Sequence, residues 1–305
     1  MKKLSNTEHS PCLFVVNPNS GKKQSIQVMN LLKKELDSSG YRHEILFWKE
    51  ENRFDEILSA IQSGRFQKII VVGGDGTINR VASCLVHTDK TLGIIPTGSG
   101  NGLARSLGLS MNPRKALKQN LQSRSTNIDV GQVNEKFFFC TAGIGFDAYV
   151  SHLFAKSKER GLKTYARLVI QNLFRYKGMD AYIRMNDAKI DSVFFMITIA
   201  NAPQFGNNFY IAPTAKLNDG KLQITAIPLL KPFRLLSLLV SALQKKIHQQ
   251  SDVLQISNHE FEIQGNDPFP FHLDGEPMGR ETFLKIKLLP KALKVIAPAK
   301  TFLSE

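Results

Sequence analysis

The sequence predicts two domains, an α/β domain with a parallel sheet followed by a β-rich domain. Up to Asn127, the chain repeats a short apolar strand, a glycine-rich polar turn and an amphipathic helix. Beyond that residue, most apolar segments are strand-like. The 305 residues, 42% of them hydrophobic, are enough for two buried cores. We therefore expect domains over residues 1–127 and 128–290, with the tail 291–305 a candidate to return to the first.

The central element is the segment from Lys68 to Asn79. Four apolar residues, Ile69 to Val72, predict a buried strand that runs directly into Gly73, Gly74, Asp75, Gly76 and Thr77. Glycines let backbone amides close on a bulky anion, and Thr77 is expected to cap the helix that follows. The segment predicts a phosphate site, with a purely structural turn as the alternative. A carboxylate at Asp75 would then need a metal ion or a transferable proton between it and the phosphate.

Two other predicted strands end in similar turns. Residues 12–16 lead into Asn17-Pro-Asn-Ser-Gly21, and residues 92–95 lead into Pro96-Thr-Gly-Ser-Gly-Asn101. Helices are expected after both turns, and between the first two turns a strand over 43–48 and a helix over 54–61. Because the carboxyl ends of parallel strands meet at one edge of a sheet, the three turns predict a shared ligand site.

The β-rich domain contains two predicted helices and two polar loops. The helices, over 161–176 and 233–246, either pack on the sheet or face lipid. In the loop 215–221, Asp219 either joins backbone carbonyls in holding a hard cation or forms an Asx-turn. Asp274 and Glu276 follow a strand; they supply a general base or metal contact, or lie solvated in a hairpin turn. The predicted strands are 128–133, 136–141, 181–185, 193–200, 222–227, 260–263, 269–273 and 284–289.

The composition limits the partners and the compartment. The net charge of +14 and the pI near 9.7 predict attraction to nucleic acid, anionic membranes or phosphorylated ligands. Nucleic acid is not expected, because no binding-module signature accompanies the basic residues. Three separated cysteines in apolar segments indicate a reduced, cytoplasmic protein. Since no signal region or bilayer-spanning run is present, membrane contact is expected to be peripheral.

Together, the motifs resemble the diacylglycerol kinase catalytic family, which includes bacterial lipid kinases and sphingosine and ceramide kinases and is distantly similar to NAD kinases. The motifs occur in the family's order and span most of the chain. They are Asn17-Pro-Asn-Ser-Gly21, Gly73-Gly-Asp-Gly-Thr77, Pro96-Thr-Gly-Ser-Gly-Asn101, Ile128-Asp-Val-Gly131, Gly143-Ile-Gly-Phe-Asp147, Ile211-Ala-Pro-Thr-Ala-Lys-Leu-Asn-Asp-Gly220 and Leu273-Asp-Gly-Glu276.

The resemblance implies an NAD-kinase-like nucleotide-binding domain, a β-sandwich-like lipid-substrate domain, and transfer of the ATP γ-phosphate to a lipid hydroxyl in the cleft between them. It implies catalytic roles for Asp274 as proton acceptor, for Glu276 in its support, and for Asp75 near the phosphates and Mg²⁺. It also implies a set of ATP-binding residues. These are Asn17, Asn19, Ser20, Gly21, Gly73, Gly74, Asp75, Gly76, Thr77, Asn79, Gly98, Ser99, Asn101 and Glu276.

Two metal-binding regions follow from the same resemblance. Asp219, with the carbonyls of Lys216 and Lys221, matches the family's structural magnesium loop, and Asp129 would join the network around the catalytic metal. Many bacterial members carry Asn-Asp where this chain has Asn101-Gly102. The missing carboxylate weakens a strict diacylglycerol assignment and leaves long-chain bases, ceramide or another lipid open.

The expected protein is a cytoplasmic kinase that binds the anionic inner face of the membrane peripherally, with a homodimer as one open oligomeric state. Two alternatives remain. One is a kinase for a soluble acceptor, by the distant NAD-kinase similarity. The other is a non-catalytic module that binds nucleotide or membrane.

Overall fold

The computed structural model describes residues 11–18, 24–48, 54–157, 159, 161–186, 188–206 and 209–298. Two compact units are formed: the first by the chain up to Asn127 together with the segment from Ala292, and the second by the chain from Ile128 to Lys291. Among the described residues, no helix combines the length and the apolar character needed to cross a bilayer.

The first unit is built on a parallel sheet with strand order β4-β3-β1-β2. The last residues of the long strand β15 (Glu276–Ile296), from Ala292 onward, also belong to this unit, and Lys294 and Val295 pair with β4 in parallel. The strands are β1 (Cys12–Val16), β2 (His43–Phe47), β3 (Lys68–Gly73) and β4 (Thr91–Pro96). The helices are α1 (Gln24–Ser39), α2 (Phe54–Gln62), α3 (Asp75–Ser83), α4 (Gly102–Ser106) and α5 (Pro113–Gln122).

Burial on both faces explains why polar and apolar residues do not alternate along the central strands. Every residue of β1 and β4 is buried, and in β3 all but Lys68 are, as expected for parallel strands covered on both faces. Met29, Leu32 and Leu36 of α1 enter the same core as β1 and β3. The core therefore fixes where these strands end, and with them the three polar turns.

Helix α5 was not among the predicted elements, although the sequence contains its start signals. Asn112 is the N-cap residue and accepts a hydrogen bond from the Lys115 amide at 3.2 Å, and Pro113 opens the helix. The buried Asn120 side chain then bonds both the amide and the carbonyl of Ile94, at 2.9 and 2.8 Å. It thereby ties α5 to β4.

The second unit is an antiparallel sheet. Its strands follow the order β13-β12-β9-β7-β14-β15; in addition, β8 pairs with β9 and β14, and β5 with β15 and β6. Strands β10 and β11 pair with each other in a separate two-stranded sheet. The strands are β5 (Ser125–Val133), β6 (Lys136–Phe138), β7 (Thr141–Gly145), β8 (Met179–Met185), β9 (Ala188–Ala200), β10 (Gln204–Gly206), β11 (Phe209–Tyr210), β12 (Leu222–Pro228), β13 (Leu254–Asn258), β14 (Glu260–Leu273) and β15 (Glu276–Ile296).

Strands β7 and β8 both pair with β9 and β14, at successive positions along them. Residues 188–194 of β9 pair with β8, and residues 196–200 pair with β7. In β14, residues 262–265 pair with β8 and residues 271–273 with β7. The predicted strands over 260–263 and 269–273 are thus one strand, with an irregularity between Gln264 and Phe269. The end of β14 consequently lies beside β7.

Helices α6 (Phe146–Lys156), α7 (Leu162–Leu173) and α8 (Pro232–Leu243) pack into one apolar cluster that includes Phe195 and Ile227. A short 3₁₀ helix, Ile247–Gln249, follows α8. The sequence predicted α7 and α8 but missed α6, because its aromatic and polar residues follow β7 without a linker.

Candidate functional site

The structure brings the three predicted turns of the first unit together. Asn17 follows β1, and its side-chain amide donates a 2.9 Å hydrogen bond to the Thr77 hydroxyl in α3. The backbone N–H of Asn17 donates a hydrogen bond to the carbonyl of Val72 at 3.2 Å, and the backbone N–H of Thr97 donates one to the carbonyl of Gly73 at 2.9 Å. The ends of β1, β3 and β4 are therefore cross-linked at one edge of the sheet.

Close packing explains the glycines in these turns. A Cβ on Gly73 would lie 2.8 Å from the Thr77 Cβ, and one on Gly98 would lie 2.8 Å from the Gly74 Cα. A Cβ on Gly100 would lie 2.7 Å from a carboxylate oxygen of Asp75. The Thr77 and Asp75 side chains and the Gly74 backbone therefore occupy the space that a side chain at these three positions would need.

Helix α3 begins differently from the prediction. Its first residue is Asp75 and its N-cap is Gly74, in an extended conformation, so the expected cap at Thr77 is wrong. Thr77 instead lies in the first turn of the helix and accepts the bond from Asn17. A helix that begins at glycine has no side-chain cap, and its first amides are the kind of donors that bind phosphate groups.

The Asp75 carboxylate positions the neighbouring turn. One oxygen accepts a hydrogen bond from the Asn101 amide and the other from the Gly102 amide, both at 2.7 Å. These amides belong to the N-terminal end of α4, where a negative charge is favourable. Asp75 therefore links the start of α3 to the start of α4.

Asn101 closes the same turn from its other side. Its backbone is left-handed, with φ at 55°, and its side chain exchanges two hydrogen bonds with the Gly98 backbone, at 3.0 and 2.8 Å. Asparagine tolerates this conformation better than most residues. The turn from Gly98 to Gly102 is therefore held by side chains at both ends.

A cleft of about 380 Å³ opens beside this turn. Its size is within the range of small-molecule sites. Arg105, which the sequence interpretation gave no role, lines the cleft and donates to the Gly100 carbonyl at 3.0 Å. The lining residues are Gln27, Val28, Pro96, Thr97, Gly98, Ser99, Asn101, Arg105, Met111 and Pro113.

The remaining predicted nucleotide residues fall into two groups. Gly76 and Asn79 lie in α3, and Ser99 lies on the cleft wall. Asn19, Ser20 and Gly21 are outside the described residues. The described residues that were predicted to bind phosphate thus lie around β3, α3 and the 98–102 turn, and their role in binding stays a prediction.

In the second unit, Asp274 and Gly275 form the two-residue turn between β14 and β15. Their φ angles of 49° and 86° are both left-handed, as in a type I′ hairpin turn. The Asp274 carboxylate accepts hydrogen bonds from three backbone amides, those of Phe139 at 2.9 Å, Cys140 at 2.7 Å and Thr141 at 3.0 Å. The turn is therefore anchored to the segment before β7, while the Glu276 side chain is exposed.

A buried pair supports this turn from within the unit. His272 and Asp147 are 2% and 7% exposed, and their Nε2 and Oδ2 atoms are 3.3 Å apart. The Gly275 amide donates to His272 Nδ1 at 3.2 Å, so Nδ1 is an acceptor and Nε2 carries the proton donated to Asp147. Sequence reasoning gave neither residue a role, although Asp147 closes the Gly143-to-Asp147 motif and His272 stands two residues before Asp274.

Asp147 also affects two tyrosines. Burial raises the pKa of the Tyr165 phenol and the Asp147 carboxylate raises it further, while a hydrogen bond with Ser151 acts in the opposite direction. The pKa of Tyr176 is raised by the same two causes in the same order. Both phenols therefore stay protonated well above the pH at which free tyrosine ionises.

Asp129 lies elsewhere in the second unit and is fully buried. Its carboxylate accepts hydrogen bonds from the amides of Gly220 and Lys291, each at 2.8 Å. Its own amide donates to the Leu217 carbonyl at 2.7 Å. Asp129 thus fastens the predicted metal loop to the unit.

Within that loop, Asp219 is exposed, and one of its oxygens accepts a 3.1 Å hydrogen bond from the Lys221 amide. This is the Asx-turn that the sequence left as an alternative. Among the described residues, no group of three or more His, Cys, Asp or Glu side chains is arranged to hold a metal ion. Any cation here would therefore depend on Asp219 together with backbone carbonyls such as those of Lys216 and Lys221.

Comparisons with known proteins agree with this architecture. Residues 11–133 match the diacylglycerol kinase catalytic domain, and residues 140–297 match the YegS C-terminal NAD kinase β-sandwich-like domain. The chain belongs to the diacylglycerol kinase catalytic-domain family of lipid kinases, which confirms the predicted family and fold class.

Named relatives cover most of the chain. It is 30% identical over 240 residues to the probable lipid kinase YegS of Escherichia coli, covering 75% of this chain and 78% of that protein. It is 29% identical over 237 residues to a probable lipid kinase YegS-like protein of Chromohalobacter salexigens, covering 76% of each chain. The fold matches the crystal structure of a putative diacylglycerol kinase from Bacillus anthracis, with a TM-score of 0.79 at 21% identity, covering 96% of this chain and 99% of that one.

Proposed function

We propose that this protein is an ATP-dependent kinase that transfers the γ-phosphate to the hydroxyl of a membrane lipid. The observation that most supports it is the convergence of the ends of β1, β3 and β4 around the start of α3, which has Gly74 as its N-cap, in a member of a lipid-kinase family. Phosphoryl transfer depends on positioning and charge neutralisation more than on covalent chemistry. Backbone amides, a few carboxylates and a cation are the parts that such a reaction needs.

In this proposal, the first unit binds ATP through the turn formed by Gly73 and Gly74 and the first amides of α3. Arg105 supplies a positive charge at the cleft, and the 98–102 turn forms its wall. Asp75 acts as a positioning residue that holds this turn through two amides. Its predicted contact with a phosphate-bound metal stays a prediction.

Magnesium would accompany ATP. Mg²⁺ usually binds through one or two protein carboxylates and completes its coordination with phosphates and water. Single carboxylates such as Asp75 and Asp219 therefore suit Mg²⁺ better than they suit a metal ion that needs several protein ligands. When bound, it would neutralise charge on the phosphates. Asp219, with the carbonyls of Lys216 and Lys221, would hold a separate structural ion, and Asp129 would keep that loop in place.

The second unit would supply the acceptor side. A lipid hydroxyl is a poor nucleophile, and Asp274 is the carboxylate proposed to take its proton. The turn that carries Asp274 is fixed by three amides and by the His272–Asp147 pair below it. Glu276, the exposed first residue of β15, would support the reaction from the solvent side.

The acceptor class is a diacylglycerol or a sphingoid or ceramide-type lipid. Gly102 begins α4, where many bacterial members carry a carboxylate, so the acceptor need not be the one those members use. We also propose peripheral binding to an anionic membrane surface, which the net charge of +14 supports.

The test is transfer of labelled γ-phosphate from Mg-ATP to vesicles containing diacylglycerol, sphingoid bases, ceramide, monoacylglycerol or phosphatidylglycerol. Asp274→Asn is the variant of interest. Asp267→Asn is the matched control, because Asp267 is an exposed aspartate in β14, the strand that leads into the Asp274 turn. We expect one class of labelled lipid, reduced at least a hundredfold by Asp274→Asn and unchanged by the control.

Three results would contradict the proposal. Labelling of a soluble acceptor without stimulation by vesicles would indicate an NAD-kinase-like enzyme. ATP binding without transfer to any acceptor would indicate a non-catalytic module. Equal activity of Asp274→Asn and the parent would remove Asp274 as the base.

A further inference from the structure

Helix α8 is apolar on its outward face as well as its inward one. Leu235, Leu238 and Ala242 are buried in the apolar cluster that the helices form on the sheet. On the opposite face, Phe233 is 85% exposed, and Val240 and Leu243 are 52% and 57% exposed. Their spacing of seven and three residues places all three along one side of the helix. Exposed Ser237 lies between Phe233 and Val240, so this side is largely but not entirely apolar. Large apolar side chains that are exposed along one side of a helix indicate an interaction surface.

The charged residues of the segment that carries this face, from Lys221 to Ser251, are all basic. No Asp or Glu occurs between Gly220 and Asp252. Asp252 itself is ion-paired with Arg234, on the side of α8. Lys231 lies just before the helix, and Lys245 and Lys246 follow it, all three exposed. The result is an apolar stripe with exposed lysines at both ends, of which Lys245 also lies over the Tyr210 ring, with its Nζ 4.2 Å from the ring centre.

We infer that the outward face of α8, defined by Phe233, Val240 and Leu243, docks on an anionic bilayer surface. The apolar side chains enter the boundary between head groups and acyl chains, while Lys231, Lys245 and Lys246 bind lipid phosphates. With twelve residues, α8 is about 18 Å long and lies in the plane of the membrane. This deepens the proposed function, on which it rests, by naming the surface that meets the lipid.

A second copy of the chain fits this face poorly. A symmetric antiparallel pair of α8 helices would place Lys231 of each copy opposite Lys245 and Lys246 of the other, which is repulsive. Three side chains also fall well short of the roughly 800 Å² per partner that a stable protein interface buries. An anionic surface removes both difficulties, because it attracts lysines and accepts a shallow apolar stripe.

The experiment measures sedimentation of the full chain with neutral phosphatidylcholine vesicles and with vesicles that also contain phosphatidylglycerol. We expect binding to the anionic vesicles only, weakened about tenfold by Phe233→Gln. Phe283→Gln is the matched control, since Phe283 is an exposed phenylalanine of the same unit outside α8. A Lys231→Gln, Lys245→Gln double variant should weaken anionic binding to a similar extent and reduce its dependence on salt.

Several outcomes would overturn the inference. These are equal sedimentation of Phe233→Gln and the parent, no binding of the parent to either vesicle, or a parent dimer that Phe233→Gln converts to a monomer. Because Phe233 is almost fully exposed, its replacement should leave the thermal midpoint unchanged, and a circular dichroism melt checks this.

An activity measurement separates this inference from the proposed function. With a short-chain acceptor in solution, Phe233→Gln should match the parent, and with vesicles it should lose activity in proportion to binding. If neither protein phosphorylates any acceptor while the binding results hold, the proposed function fails and the docking surface stands. If both proteins phosphorylate vesicle lipid equally, the docking surface fails and the kinase stands.

Discussion

Replacing Asp75 by asparagine should destabilise the first unit as well as impair catalysis. Asp75 accepts 2.7 Å hydrogen bonds from the amides of Asn101 and Gly102, one on each oxygen. Asparagine is the same size but has one acceptor oxygen and one donor group. Its amide nitrogen would therefore face a backbone N–H, and the negative charge at the start of α4 would be lost.

The magnitude follows from those two contacts. One hydrogen bond to a charged group is lost, which costs about 1.5–3 kcal/mol, and the favourable charge at a helix N-terminus adds about 0.3–1 kcal/mol. Because Asp75 is half-buried rather than buried, the lower part of that range applies. We expect the free energy of unfolding of the first unit to fall by about 2–3 kcal/mol.

The assay is urea unfolding followed by tryptophan fluorescence. Trp48 is the chain's single tryptophan, and it packs on Phe54 beneath the Arg80 guanidinium within the first unit. Its emission therefore reports this unit separately from the second. The control is Asp89→Asn, an exposed aspartate of the same unit, which should change stability by less than about 0.5 kcal/mol.

If Asp75 only bound a metal ion or a phosphate, Asp75→Asn would not lower the free energy of unfolding. Removing a carboxylate that only faces a ligand leaves the unliganded protein equally stable or slightly more so. An Asp75→Asn protein that unfolds at the parent's urea concentration but has lost activity would therefore refute the positioning role. Loss of both stability and activity is the expected outcome.

The remaining predictions concern the second unit. Gly143→Ala would bring a Cβ to about 2 Å from Asp147 Oδ2 and His272 Nε2. We expect the free energy of unfolding, measured with urea, to fall by about 2–4 kcal/mol. We also expect a lower kcat for phosphate transfer. Stability should fall above pH 10, because the folded-state pKa values of Tyr165 and Tyr176 lie above the unfolded value of 10.0 and only the unfolded phenols then ionise. Thermal melts from pH 8 to 12 test this, and Tyr165→Phe should flatten the decline.

Apart from α5, the order of strands, turns and helices in the first unit was readable from the sequence. Continuous apolar runs predicted β1, β3 and β4, and the polar residues after each predicted where they end. Parallel pairing then placed the turns at one edge, and the bond from Asn17 to Thr77 agrees with that expectation. Helix α6 was missed because its aromatic and polar residues follow β7 without a linker, and α5 was missed although Asn112 and Pro113 are helix start signals.

Roles of individual carboxylates were less readable, because a carboxylate looks the same in sequence whether it faces a ligand or an amide. Asp75, Asp129 and Asp274 each accept hydrogen bonds from backbone amides distant in sequence, so all three position loops. The His272–Asp147 pair was likewise invisible, because its members are 125 positions apart.

The sequence by itself determined the class of fold, the family and the segments that surround the candidate site. These depend on local patterns, such as strand periodicity, glycine-rich turns and motif order, which a linear chain displays directly. Only the tertiary structure decided which oxygen accepts which amide, where α3 begins, and which face of α8 is exposed. Those properties depend on contacts between residues far apart in the chain, and a one-dimensional pattern does not contain distances.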